Sequence, residues 1–169
     1  MRAKITEPTE PAERFRPSVT VAAVIEHAGR YLLVEEHTSE GLRLNNPAGH
    51  LEPGESLLQA VVRETLEETA CAFEPQALVG VYLARLPRPA RGDAVTYLRF
   101  AICGSAGSPD AQRTLDHGIV RTLWLSPREI EARRERLRSP LVWQCVADHG
   151  AGRRFPLALL NADASIYTR

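Results

Sequence analysis

Residues 49–71 read GHLEPGESLLQAVVRETLEETAC, and this stretch decides the fold. It opens as a loop that contains glycine and proline, and then becomes a helix. Ser56 is a suitable N-cap for that helix, because its hydroxyl can accept a hydrogen bond from a free backbone N–H. Gln59 follows three residues later and can complete a capping box. The stretch therefore predicts a helix that begins after Ser56.

The predicted helix has one side for the protein core and one acidic side. The core side is formed by Leu58, Val62, Thr65, Leu66 and Thr69. Glu64, Glu67 and Glu68 fall on the opposite side, at spacings where like charges repel each other. Mg²⁺ and Mn²⁺ bind carboxylate oxygen, so a hard cation would relieve that repulsion. The acidic side predicts a metal site, and a solvated helix face is the alternative.

The spacing of these residues resembles the Nudix box, G-x5-E-x7-R-E-U-x-E-E-x-G-U, in which U is a bulky apolar residue. The fixed positions are occupied by Gly49, Glu55, Arg63, Glu64, Glu67 and Glu68. Two positions depart from the pattern, because Thr65 replaces an aliphatic residue and Ala70 replaces the second glycine. A glycine at that place often ends the helix in a left-handed backbone conformation. With Ala70 there, the pattern does not predict the backbone conformation at the helix C-terminus. Neither departure removes a carboxylate.

The resemblance implies a Nudix hydrolase that cleaves phosphoric anhydride bonds with Mg²⁺ or Mn²⁺. The metal ligands that it implies are Glu64, Glu67, Glu68 and the backbone carbonyl of Gly49. Glu64 and Glu68 are the candidate catalytic carboxylates of the box, and Glu64 is a candidate to polarise water. Glu55 and Arg63 are expected to form an ion pair that orients the loop behind the metal ligands.

Three residues that are not fixed positions of the box are further candidates. Many Nudix enzymes take a general base from a loop that precedes a strand tryptophan, and here residues 115–118 precede Trp124. Asp116 is the candidate base, and its alternative is a turn residue, since Asp-x-Gly favours turns. His50 and Arg138 are candidate substrate contacts. A structural role for His50, or a helix cap or surface ion pair for Arg138, is the alternative.

The amino-acid composition limits the classes of protein to which this chain can belong. The chain has 169 residues, 44% of them hydrophobic, and its 21 acidic side chains balance 21 basic ones. That balance argues against nucleic-acid binding through a basic surface. The sequence has neither a signal peptide core nor a membrane span, and its three cysteines form no CxxC pair. We expect a cytoplasmic monomer or homodimer that binds small molecules, without nucleic-acid or membrane partners.

The order of predicted elements indicates an α+β protein. Residues 1–16 are predicted to be a flexible N-terminal tail, and residues 17–169 the Nudix domain. Besides the helix of the box, the sequence predicts strands near 19–26, 31–36, 78–86, 94–103 and 119–125, and helices near 128–137 and 140–150. Such an order predicts an α/β/α sandwich with a mixed β-sheet, which is also the fold that the resemblance implies.

Outside the box, the chain resembles the NudJ group of bacterial Nudix phosphatases. The resemblance lies in PAGHLE at 47–52, LRSPLV at 137–142 and RFPL at 154–157. It implies release of phosphate from nucleoside di- and triphosphates, thiamine pyrophosphate and its hydroxymethylpyrimidine pyrophosphate precursor. One alternative keeps the fold but acts on ADP-ribose or dinucleotides. Another, of a different class, is a non-catalytic Nudix module that senses a nucleotide.

Overall fold

A computed structural model describes residues 14–88 and 92–168. Most of the predicted tail, residues 1–13, lies outside the described residues, and residues 14–17 form no regular structure. The strands are β1 (Ser18–His27), β2 (Arg30–Thr38), β3 (Gly41–Asn45), β4 (Ala48–His50), β5 (Phe73–Arg88), β6 (Asp93–Ala106) and β7 (Ile119–Leu125). The helices are α1 (Leu57–Thr69), α2 (Pro127–Glu131) and α3 (Pro140–Gly150), with short 3₁₀ helices at Arg134–Arg136, Leu157–Leu159 and Ala164–Tyr167.

The strands form one mixed sheet in the order β3-β2-β1-β6-β5, with β4 paired to β1 and β7 paired to β2. β1 and β6 run parallel, and the other strand pairs are antiparallel. The parallel pairing places Thr20 opposite Arg99, while β4 places Gly49 opposite Val21. The first glycine of the box therefore lies beside β1, a mostly buried strand in the middle of the sheet.

Two hydrophobic clusters lie on opposite faces of the sheet. On one face, Ala60 and Val61 of α1 pack with side chains of β1 such as Ile25. On the other face, Ile130 of α2 and Val142 of α3 belong to a second cluster. The predicted α/β/α sandwich with a mixed sheet is confirmed. In the described part of the chain, every helix is too short or too polar to serve as a membrane span.

Helix α1 begins and ends by identifiable local interactions. The Ser56 hydroxyl accepts from the Gln59 N–H at 3.2 Å, and the Gln59 side chain accepts from the Ser56 N–H at 2.8 Å, so the predicted capping box is present. At the other end, Ala70 adopts the left-handed conformation, with φ 57° and ψ 14°. Alanine therefore takes the backbone conformation that glycine adopts most readily, and the helix terminus keeps its capping geometry.

The predicted core side of α1 was partly wrong. Leu58, Val62 and Leu66 are only half-buried. Thr65 and Thr69 are buried as predicted, whereas the other buried residues are Ala60, Val61 and Glu68, and Leu58 and Val62 pack against the core from their half-buried positions. The physical reason is that α1 packs against β4 as well as against β1 and β5, so its buried surface extends to the acidic side. A helix enclosed on two sides does not follow the single apolar stripe of a surface helix.

The helix predicted over residues 128–137 was too long. Ser126 caps it, but α2 ends at Glu131 and a 3₁₀ turn follows at Arg134–Arg136. The turn brings Arg136 Nη2 within 2.5 Å of Glu35 Oε1, and Arg121 Nε lies 2.7 Å from Glu35 Oε2. These ion pairs satisfy a buried carboxylate, which favours the turn over a continued helix.

The two long strands extend beyond their predicted limits. β5 begins at Phe73, before Pro75, and β6 runs to Ala106, inside the loop expected after residue 103. Proline is tolerated in β5 because this strand lies at the sheet edge, and the pairing shifts register beside Pro75. The connection between the strands predicted near 78–86 and 94–103 is shorter than expected, because β5 extends to Arg88 and β6 begins at Asp93, and residues 89–91 lie outside the described residues.

Candidate metal and substrate site

Arg63 joins the loop of the box to its helix. Its Nε and Nη2 donate to the two carboxylate oxygens of Glu55 at 3.0 and 2.7 Å, so the expected ion pair is present. Its Nη1 donates to Glu64 at 2.8 Å and to Glu67 at 3.1 Å, and its Nη2 also donates to the His50 carbonyl at 3.0 Å. The Arg63 guanidinium holds the pKa of Glu55 below its usual value. The loop is therefore fixed on the helix by charge-assisted hydrogen bonds.

Gly49 lies directly against the carboxylate of Glu64. A Cβ atom on Gly49 would lie 2.0 Å from both Cδ and Oε1 of Glu64, far inside van der Waals contact. Only glycine allows the backbone of β4 to approach the helix carboxylate this closely. The contact explains why a box of this geometry begins with glycine. It also places a backbone carbonyl and a carboxylate in the same small region.

Glu68 is a buried carboxylate, with only 8% of the residue exposed. Its Oε2 accepts a hydrogen bond from the Ala48 N–H at 2.9 Å. Burial, together with the nearby charges of Glu36, Glu64 and Asp116, raises the pKa of Glu68 to about 8, although the Ala48 hydrogen bond acts to lower it. A carboxylate in such surroundings is stabilised either by a proton or by a cation.

The residues of this site fit a hard divalent cation. The available donors are carboxylate and carbonyl oxygens, which Mg²⁺ and Mn²⁺ prefer. Burial also raises the pKa of Glu64, so a cation would offset the cost of keeping Glu64 and Glu68 ionised. Glu67 is the outer member, with 46% of its side chain exposed. Among the described residues, no three acidic, histidine or cysteine side chains already converge on one point, and Glu64 and Glu67 both accept from Arg63 Nη1.

The loop that carries Asp116 contacts the end of α1. The Asp116 N–H donates to the Glu67 carbonyl at 2.9 Å, and its carboxylate accepts from the His117 N–H at 2.7 Å. The side chain is exposed, and its charge raises the pKa of Glu68. Asp116 thus forms the local hydrogen bond expected of a turn residue while it lies in the electrostatic reach of the buried carboxylate.

A cleft of about 490 Å³ adjoins the box on the face of the sheet opposite α1. Gly49, His50 and Arg138 line it, so the structure brings both predicted substrate contacts to the same cavity. The His50 ring lies 6.4 Å from the ring of Tyr97, centroid to centroid. Arg138 Nε lies 3.8 Å from Glu36 Oε1, and the Arg138 side chain is 45% exposed. Arg138 can therefore reach a phosphate in the cleft or stay with Glu36.

Two residues of the site were missed from the sequence. Glu36 accepts a hydrogen bond from Asn45 Nδ2 at 3.1 Å and acts electrostatically on Glu68. Its signal was available, since Glu35 and Glu36 are consecutive in a strand and point to opposite faces. Arg99 is buried at the floor of the cleft. Nothing in the sequence of β6 indicated this, because it depends on the parallel pairing with β1.

Comparison with known proteins agrees with this geometry. The model of the NUDIX domain matches residues 14–144. The chain belongs to the Nudix family. Phosphatase NudJ of Escherichia coli (strain K12) is 34% identical over 147 residues, which cover 87% of this chain and 92% of that protein. Phosphatase NudJ of Shigella boydii matches with the same identity and coverage.

Solved structures of Nudix proteins support the same assignment. A NUDIX hydrolase from Nitrosomonas europaea is 50% identical, with a TM-score of 0.80, over 88% of this chain and 98% of that one. An ADP-ribose pyrophosphatase from Streptococcus suis, 17% identical with a TM-score of 0.59 over 83% of this chain and 97% of that one, shares the fold alone. The present chain is a Nudix hydrolase that acts on pyrophosphate bonds, and the predicted resemblance to the NudJ group is confirmed.

Proposed function

We propose that this chain is a phosphatase that uses Mg²⁺ to release phosphate from nucleoside di- and triphosphates and from thiamine-type pyrophosphates. The observation that carries the proposal is the similarity to NudJ phosphatases over 87% of the chain. The contacts of Gly49, Arg63 and Glu68 supply a physical basis for it. Mn²⁺ would fit the same oxygen donors.

The reaction is hydrolysis of a phosphoric anhydride. When bound, the metal ion would neutralise phosphate charge and lower the pKa of a water molecule. The water oxygen attacks phosphorus, the bond from phosphorus to the bridging oxygen breaks, and a carboxylate accepts the proton of the water. Glu64, Glu67, Glu68 and the Gly49 carbonyl are the proposed metal ligands. Arg63 and Glu55 keep the loop and the helix carboxylates in position for this attack.

Asp116 is the proposed general base, and Asp116→Asn is expected to lower kcat about tenfold without changing the Mg²⁺ concentration for half-maximal rate. The expected effect is below the ~10²–10⁴-fold typical of general acid–base catalysis, because water can partly replace an exposed carboxylate as proton acceptor. The measurement is kcat across a Mg²⁺ titration. An unaffected kcat would return Asp116 to its role as a turn residue. Glu36→Gln, measured in parallel, tests whether the competing carboxylate of β2 accepts the proton instead.

A panel of substrates tests the proposed specificity. We expect orthophosphate, with Mg²⁺, from thiamine pyrophosphate, hydroxymethylpyrimidine pyrophosphate and common nucleoside di- and triphosphates. ADP-ribose is expected to stay intact, since its cleavage would give two monophosphates instead. Chromatography of the products, beside a phosphate assay, distinguishes the two outcomes. Cleavage of ADP-ribose alone would keep the metal site and overturn the proposed substrate class.

We also propose the domain bounds, the cellular location, the oligomeric state and the partners of this chain. We infer that residues 1–16 form a tail that precedes a single Nudix domain at 17–169. We infer a cytoplasmic protein that acts as a monomer or homodimer on small molecules, without nucleic-acid or membrane partners. The neutral net charge and the three buried thiols, which are free, are compatible with this setting. Sedimentation of the purified chain would give its oligomeric state.

A further inference from the structure

The floor of the cleft contains two polar side chains that the proposed chemistry does not use. Thr20 on β1 and Arg99 on β6 are directly paired in the parallel register and both line the cleft. Both are buried, with only 6% of Thr20 and 8% of Arg99 exposed. Two adjacent polar residues thus lie together at the floor of a cavity that continues to Gly49.

Each of these side chains has a buried atom that makes no hydrogen bond, namely Arg99 Nη1 and Thr20 Oγ1. The other Arg99 terminal nitrogen, Nη2, reaches Asn45 Oδ1 only at 3.5 Å, which is the limit of a hydrogen bond. The Cys145 thiol interacts with Arg99 electrostatically and through a side-chain hydrogen bond, but burial raises the pKa of that thiol to about 11, so the neutral thiol is no counter-ion near neutral pH. The Arg99 charge is therefore poorly compensated.

Arg99 differs in this respect from the other arginines of the cleft. Arg43 pairs with Glu40 at 3.3 Å, Arg88 pairs with Asp93, and Arg138 approaches Glu36 at 3.8 Å. Within residues 14–88 and 92–168, no acidic side chain forms a salt bridge with Arg99. A buried donor without a partner destabilises the folded chain, and it does so more strongly when it is charged. A ligand that brings an acceptor would offset that destabilisation.

The position of Arg99 suits the organic part of a substrate. His50, Thr20 and Arg99 form one row across β4, β1 and β6, so two strand spacings of about 4.8 Å separate the ends of the row. Gly49, where the metal ligands meet the cleft, adjoins His50. The ring of Tyr97 lies on the same wall, 6.4 Å from the ring of His50. Aromatic side chains beside buried donors are the combination that binds a planar heterocycle.

We propose that Arg99 and Thr20 form a subsite for the heterocyclic base of the substrate, and that they bind oxygen or nitrogen acceptors on the edge of that ring. The inference rests on the proposed function, since the phosphates are taken to lie at Gly49 and the helix carboxylates. Arg99 turns its guanidinium toward the cleft when the base enters. Thr20 donates or accepts the adjacent hydrogen bond, and the His50 and Tyr97 rings contact the face of the base.

Equilibrium binding tests the subsite without turnover. The probes are uridine and guanosine 5′-(β,γ-imido)triphosphates, and inorganic imidodiphosphate as the base-free probe, each titrated with Mg²⁺ by calorimetry. Arg99→Met is expected to raise Kd for the nucleotide analogues about tenfold or more, as loss of one buried hydrogen bond implies. The Kd of imidodiphosphate is expected to stay unchanged. Thr20→Val keeps the side-chain shape and is expected to raise only the nucleotide Kd, by a smaller factor.

Control variants distinguish a base contact from a phosphate contact and from a general loss of positive charge. Arg85→Met removes an exposed positive charge of β5 outside the cleft, and it is expected to leave both dissociation constants unchanged. Equal weakening of both probes by Arg99→Met would show a phosphate contact and overturn the base subsite. Unchanged binding in Arg99→Met and Thr20→Val would also overturn it. If Arg99→Met does not fold, the dissociation constants of Thr20→Val for the nucleotide analogues and for imidodiphosphate test the proposal on their own. Nucleotide binding by a wild-type chain that hydrolyses nothing would overturn only the proposed function.

Discussion

Glu68→Gln is expected to lower kcat about 10³-fold, the upper end of the effect of removing one catalytic electrostatic contact. The amide keeps the size of the side chain and can still accept from the Ala48 N–H. It cannot supply the negative charge that holds a cation. The folded state is expected to be at least as stable as wild type, because burial and neighbouring carboxylates already penalise the ionised Glu68. Steady-state kinetics and thermal unfolding in the same buffer measure both effects.

A matched variant guards against a general effect of charge removal. Glu74 is an exposed glutamate of β5, so Glu74→Gln changes the net charge equally at a place outside both the box and the cleft. It is expected to keep wild-type kcat. Near-normal turnover of Glu68→Gln would remove the metal assignment of the helix. A loss of turnover together with a large drop in melting temperature would mean that Glu68 supports the fold instead.

Gly49→Ala is expected to lower kcat/KM at least about 10²-fold. The added Cβ would lie 2.0 Å from the Glu64 carboxylate, so Glu64 must move by more than 1 Å. Misplacement of a catalytic group by about 1 Å typically costs 10²-fold in rate. The movement also removes the hydrogen bond from Arg63 Nη1 to Glu64. Initial rates at low substrate concentration give kcat/KM directly.

Two comparisons test whether the loss of kcat/KM in Gly49→Ala comes from the contact with Glu64. Gly107→Ala is the control, because its Cβ would have only the Ala72 carbonyl oxygen nearby, at 3.9 Å. It is expected to retain wild-type activity. If Gly49→Ala acts through Glu64, adding it to Glu64→Gln should cost little more than Glu64→Gln alone. Full additivity of the two changes, or wild-type kcat/KM in Gly49→Ala, would contradict the account of this contact.

Local patterns predicted much of the fold. Ser56 and Gln59 form the expected capping box, and β7 has the bounds predicted for it. The Arg63–Glu55 ion pair follows from residues eight apart that one loop and one helix bring together. Such features depend on neighbours in the chain, so a single sequence contains enough information to predict them.

The rest depends on contacts between distant segments. The buried side of α1 includes Glu68 because β4 covers it, and no periodicity within the helix indicates that cover. Helix α2 ends earlier than predicted, and the 3₁₀ turn that follows it brings Arg136 to Glu35, a partner about a hundred positions away in the chain. Arg99 becomes a buried donor only through parallel pairing with β1. Sequence reasoning therefore identified the carboxylates of the helix but neither their burial nor the floor of the cleft.

Phosphate release from a nucleoside triphosphate, as a function of Mg²⁺ concentration, tests most directly whether the helix carboxylates form the metal site. Wild-type enzyme and Glu68→Gln are compared in EDTA and across the Mg²⁺ range. We predict no release in EDTA, a rate for the wild type that rises to saturation with Mg²⁺, and a nearly flat response for Glu68→Gln. Equal rates with and without EDTA, or a wild-type response from Glu68→Gln, would contradict the account.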